Sequence, residues 1–168
     1  MGKGVVMLMT QALENATEQD VLLAVERFRN HYGKNLVRHT CLYPNVQETI
    51  EHFSGKPQAI CSNKPVDFVE KILLRLKFHS PFQAIVGGDS LKSKKPDPEG
   101  LNSIMEKFHV SPGETLMVGD SPVDIETGKR AGATTVVVSY GNSPREVLEA
   151  AGPDKIVDDI AELKKFYA

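Results

Sequence analysis

From Pro44 onward, short apolar runs alternate with segments whose apolar residues recur every three or four positions. That alternation constrains the fold more than any other feature. Gln58 to Cys61, Phe82 to Val86, Thr115 to Val118, Thr134 to Ser139 and Lys155 to Val157 read as strands. Helices are expected over Val46 to Phe53, from Pro65 through Leu76, over Pro98 to Phe108, from Ser121-Pro122 to Gly132, from Ser143-Pro144 to Gly152, and at the C-terminus. Proline suits a first helical turn, and a glycine just past the last turn ends one. Strand and helix in this order predict an α/β fold: a three-layer, Rossmann-like parallel sheet with helices on both faces. Ligands of such sheets bind beyond the carboxyl ends of the strands.

The stretch before Pro44 has a different period. Thr17 with Glu18 and Asp20 forms a capping signal, and Val21, Val25, Phe28 and Tyr32 share one helical face that runs to about Gly33. Val5 to Met9 fits either a buried strand or a helix start, and it is too short for a secretory core or a membrane span. The 168 residues carry 20 Lys and Arg against 22 Asp and Glu. This leaves no cationic excess for a nucleic acid. The two cysteines, Cys41 and Cys61, lie in no metal-binding or redox pattern, and a reducing, cytoplasmic setting is expected.

Three strand ends carry polar chemistry. After the first comes Cys61-Ser62-Asn63-Lys64-Pro65. A hydroxyl and an amide at a helix start suit a phosphate, although Asn63 or Lys64 could equally serve as a plain helix cap. After the second, Lys92 and Lys94 read as a solvated loop. Lys95 is stiffened by Pro96 and Pro98 and can act as a fixed point charge. After the third comes Gly119-Asp120-Ser121-Pro122-Val123-Asp124. Asp124 lies one helical turn beyond Asp120, and two carboxylates facing one crevice suit Mg²⁺, a hard cation that prefers oxygen ligands.

These segments resemble three motifs of the haloacid dehalogenase-like hydrolases, with wording closest to the phosphoglycolate phosphatases. The resemblance implies a Mg²⁺-dependent phosphatase that works through an aspartyl-phosphate on a small phosphorylated metabolite such as 2-phosphoglycolate, with no nucleic-acid or membrane partner. It implies that Ser62 and Asn63 bind the phosphoryl group and that Lys95 neutralises it. Asp120 would hold the metal, and Asp124 would orient Lys95 or the metal's waters. It also divides the chain into a partial helical cap over 1–42 and a core over 43–168. Within that cap Val5 to Leu13 becomes helix, and Gly2-Lys3-Gly4 becomes either a loop with a cation near a substrate carboxylate or a chain end.

One motif of the family is missing. An Asp-x-Asp-Gly-Thr at the end of a first core strand supplies its nucleophile and its acid/base, and no Asp-x-Asp occurs in this chain. The expectation is therefore a sheet without its first strand, in a shortened and weakly active or inactive form of the enzyme. A phosphate- and Mg²⁺-binding module without turnover is the alternative. The sheet must leave a gap between the strands before Ser62 and before Asp120, pair them directly, or fill the gap with another segment.

Overall fold

Every expected strand forms, and each is short: β1 is Ala59–Cys61, β2 Ala84–Val86, β3 Leu116–Gly119, β4 Thr134–Val138 and β5 Lys155–Val157. The structure is a computed structural model that describes residues 5–13 and 15–167; Gly2-Lys3-Gly4 lies outside them. The helices are α1 Val5–Ala12, α2 Glu18–Asn35, α3 Val46–His52, α4 Val66–Arg75, α5 Glu99–Phe108, α6 Pro122–Ala131, α7 Arg145–Ala151 and a single turn, α8, Leu163–Phe166. A 3₁₀ turn at Pro112–Glu114, not expected from the sequence, precedes β3.

Local chemistry accounts for the helix boundaries. Thr17 and Asp20 form a reciprocal capping box at the start of α2. Ser121 and Asp124 form another at the start of α6, and Gly132 ends that helix in the left-handed region at φ 74°. Most boundaries fall within a residue of expectation, and two that fall elsewhere have a local cause. α2 runs through Gly33 to Asn35, because a lone glycine inside a helix costs only about 1 kcal/mol. Phe82 stays outside β2: its N–H donates to the His79 carbonyl in a turn, and its ring packs under α4.

Three layers form as expected. Val69 and Leu73 of α4 pack on Ile60 and Ile85 of the sheet layer, and Val46 and Ile50 of α3 join the same cluster. Further along the same face, Leu163 of α8 and Phe53 pack on Val136, Val138 and Val157. The opposite face receives Leu101 and Met105 of α5 against Met117. It also receives Ile125 of α6 and Leu148 of α7 against Val137. Val136 and Val137 are 0% and 1% exposed, so each contributes on the order of 2 kcal/mol by burial.

The sheet layer is not continuous. β1 pairs only with β2, and β3, β4 and β5 form a second parallel sheet in that order. Registers run from Ala59 opposite Ala84 in the first sheet and from Leu116 opposite Thr134 in the second. Among the described residues no strand joins β1 to β3, so the chain leaves the seam open. Two helices bridge it. On one face Ile50 of α3 joins the apolar cluster that includes Ile60 of β1, and Phe53, just past α3, joins the one that includes Leu116 and Val118 of β3. On the other, α5 lies against β1 and β2 and reaches Met117.

α1 and α2 pack on each other and bury none of their own residues. Val6, Leu8, Leu22 and Leu23 stay exposed. α2 meets the rest of the molecule through Tyr32, whose ring stands edge-on to Phe68 of α4.

Candidate functional site

The first three strand ends converge on Lys95. Its ammonium lies 2.6 Å from Asp124 Oδ1, with the two side chains 13% and 9% exposed. Its carbonyl accepts a hydrogen bond from the Asn63 side-chain amide at 2.9 Å. One lysine thus ties the loop after β1 to the helix after β3.

Asp124 is fully engaged. Oδ1 takes Lys95, while Oδ2 accepts the N–H groups of Asp120 and Ser121, both at 3.1 Å, and the Ser121 hydroxyl at 2.7 Å. This geometry needs Gly119, where a Cβ would stand 2.3 Å from Asp124 Cβ and 2.5 Å from Oδ2. Asp120 is differently placed. Its Oδ2 accepts the backbone and side-chain N–H groups of Asn142, at 3.1 and 3.0 Å, and its other oxygen takes no hydrogen bond from the described residues. Asn142 follows β4 and was not among the residues expected here, although the strand-end rule points to it. Gly141 permits the approach, since a Cβ there would lie 2.2 Å from Asp120 Cβ.

Ser62 Oγ accepts the Lys64 N–H at 3.1 Å, which leaves its own proton available to donate. Neither Asn63 nor Lys64 caps α4. Asp89, in the loop after β2, accepts the Val66 N–H at 2.8 Å and does so instead. Lys64 turns to α2, where its ammonium donates to the Tyr32 hydroxyl at 2.6 Å and sits 4.7 Å from the ring centre. Lys92 and Lys94 are exposed, as a solvated loop requires. Behind the site, burial pushes the Cys61 thiol above its ordinary range, while the Lys95 charge pulls it back.

Among the described residues no group of three or more His, Cys, Asp or Glu side chains gathers to hold a metal. The residues present therefore fit Mg²⁺ only in the sparing way this ion is commonly bound, by one or two carboxylates with waters and substrate oxygens completing the shell. Asp120, with one carboxylate oxygen uncommitted, fits that role; Asp124, with both oxygens engaged, fits the positioning of Lys95. The broad open groove lined by Leu13, Leu23, Ala24 and Arg27 contains none of these residues and lacks their chemistry.

The haloacid dehalogenase-like hydrolase profile matches residues 4–138. The chain belongs to this family. The phosphoglycolate phosphatase of Haemophilus influenzae is 36% identical, over 97% of this chain and 77% of its own length. That of Vibrio parahaemolyticus is 39% identical over 85% of this chain and 64% of its own length, so the matched region is about two thirds of that relative. The crystal structure of a predicted phosphoglycolate phosphatase from Haemophilus somnus superposes with a TM-score of 0.87 at 34% identity. It covers 98% of this chain and 74% of that one. A haloacid dehalogenase-like protein from Streptococcus pneumoniae shares the fold at a TM-score of 0.88 and 18% identity, covering 100% of this chain and 78% of that one. No described helix of this family member is long and apolar enough to cross a membrane.

Proposed function

We propose that the strand-end site binds the phosphoryl group of a small phosphomonoester, 2-phosphoglycolate or a similar metabolite, together with Mg²⁺. The observation that carries the reading is the Lys95–Asp124 pair, set between Ser62 and Asp120 at three strand ends. Lys95 supplies positive charge at a fixed point, held by Asp124 through its ammonium and by Asn63 through its carbonyl. Ser62 donates its hydroxyl proton to a phosphoryl oxygen. Asp120 holds the metal through the carboxylate oxygen that Asn142 leaves uncommitted. When bound, the metal polarises a phosphoryl oxygen and neutralises charge. Phosphoryl transfer depends chiefly on such positioning and charge stabilisation.

The chemical step needs a carboxylate nucleophile, and no Asp-x-Asp is present in these 168 residues. The reading is therefore a family phosphatase site whose binding half is complete and whose turnover in this chain alone is weak or absent. The missing pair also favours a second reading, a phosphate- and Mg²⁺-binding module that never turns over. Residues 1–42 act as a partial cap, latched to the core by Tyr32 and Lys64. Two free cysteines accord with a cytoplasmic setting.

Calorimetry with inorganic phosphate and Mg²⁺, paired with a 2-phosphoglycolate hydrolysis assay, tests this. Micromolar binding that is lost in Asp120→Asn and in Lys95→Met is expected. Absence of any binding removes the site. Hydrolysis at an enzyme-like rate that is abolished by Asp120→Asn overturns the claim that the nucleophile is missing.

A further inference from the structure

Resting on the reading of Asp120 as a Mg²⁺ ligand, we propose that Asn142 is the positioning residue that sets the metal preference of the site. It occupies one oxygen of the Asp120 carboxylate, so that only the other can ligate, which suits Mg²⁺ and disfavours Ca²⁺. Although Asn142 is itself exposed, both of its donors go to the same atom: the backbone N–H reaches Asp120 Oδ2 at 3.1 Å and the side-chain amide reaches it at 3.0 Å. A carboxylate offers about two lone-pair sites on each oxygen. Oδ2 is therefore filled, and Oδ1 is the oxygen left for a cation. The backbone donor alone would leave half of Oδ2 open, so the side-chain amide is the decisive group.

Neighbouring strands build this clamp. β3 and β4 pair with Gly119 opposite Val137, so the loops that leave them run side by side. Gly141 lets them close, since a Cβ there would stand 2.2 Å from Asp120 Cβ and 2.6 Å from Oδ2. Asp120 is held at its other end too, because its N–H donates to Asp124 Oδ2 at 3.1 Å. With backbone and carboxylate both tethered, Asp120 cannot turn its second oxygen to a cation without breaking the Asn142 bonds. Groups that hydrogen-bond a ligating carboxylate orient it and tune the metal it takes. Ca²⁺ gathers roughly six to eight oxygens and readily takes both from one carboxylate, whereas Mg²⁺ demands octahedral geometry and keeps several waters. Among the described residues no third acidic or imidazole group joins the site to make up a larger shell. One carboxylate oxygen amid water serves Mg²⁺ and leaves Ca²⁺ short of ligands. A residue that merely pinned the turn after β4 would affect the two metals alike.

The test titrates the full chain with MgCl2 and, separately, with CaCl2, followed by NMR at the backbone amides of Gly119 and Ser121, in the parent, Asn142→Ala and Asp120→Asn. Shift dispersion in the same spectra reports that each variant is folded. The parent should bind Mg²⁺ about tenfold more tightly than Ca²⁺, and Asp120→Asn should abolish both responses. In Asn142→Ala, Ca²⁺ binding should tighten and the Mg²⁺ to Ca²⁺ affinity ratio should fall about fivefold or more. Three results overturn the inference while leaving Asp120 as a metal ligand: a parent that takes both metals equally, an unchanged ratio in Asn142→Ala, and parallel weakening of both metals there. Absence of any Mg²⁺-dependent shift in the parent overturns the metal reading of Asp120 and this inference with it. Turnover enters none of these measurements.

Discussion

Lys95 Nζ and Asp124 Oδ1 lie 2.6 Å apart, and this ion pair joins the loop leaving β2 to the helix that follows β3 across a seam with no backbone ladder. It is both the electrostatic centre of the candidate site and one of the few ties between the two sheets.

Asp124→Asn should therefore destabilise the protein by on the order of 3 kcal/mol. It strands a largely buried ammonium and weakens the acceptor for two backbone N–H groups. Lys95→Met should cost less, about 1 kcal/mol, because Asp124 keeps its three donors at Asp120 and Ser121. Urea unfolding midpoints separate the two variants. Equal losses would show that the pair, rather than the turn beneath Asp124, dominates.

Gly119→Ala should lose about 2 kcal/mol or more. Its Cβ would overlap Asp124 within 2.3 Å, and Asp124 cannot retreat without releasing Lys95. Thermal denaturation checks this, and a melting temperature near that of the parent would refute the contact.

Tyr32→Phe removes the 2.6 Å bond to Lys64 but keeps the stack on Phe28 and the edge contact with Phe68. Global stability should fall by only about 1 kcal/mol. Limited proteolysis within residues 36–42, between α2 and α3, should accelerate several-fold. Unchanged cleavage would mean that this bond does not hold α2 to the core.

Thr135 donates through both its backbone N–H and its hydroxyl to Asp154 Oδ2, each at 2.7 Å, and these bonds hold the Asp154 carboxyl below its ordinary 3.8. The native state thus favours the ionised form. The resulting stabilisation is complete above that ordinary value and is lost as the pH falls through the lower native one. Asp154→Asn should flatten the stability profile below about pH 4 and leave its shape unchanged between pH 6 and 8. A parent-like acid limb in the variant would assign the acid sensitivity to other carboxylates.

The order of strands and helices was readable in the sequence because each strand is a short apolar run followed by a helix start, as in Thr134 to Val138 followed by Pro144. Ser62, Lys95, Asp120 and Asp124 were readable because parallel sheets concentrate chemistry at strand ends. Asn142, Asp89 and the Tyr32–Lys64 contact were not read. Each depends on which loops meet in space, at separations of 22, 23 and 32 residues. The open seam belongs to the same class. A missing strand could be read from a missing motif, but whether its neighbours close over the gap depends on how α3 and α5 pack, and no local periodicity encodes that.

The bridging helices α3 and α5 have a mechanical consequence. Within each sheet, load passes through backbone ladders, but among the described residues no ladder joins β1 to β3, and the two sheets are held by the connecting chain and by side-chain packing such as the cluster of Leu101, Met105 and Met117 and the pair Lys95 and Asp124. Under tension, or in denaturant, the molecule should part along that line first, yielding two folded remnants before either ladder shears. Any strand that entered the seam would turn two loosely riveted plates into one.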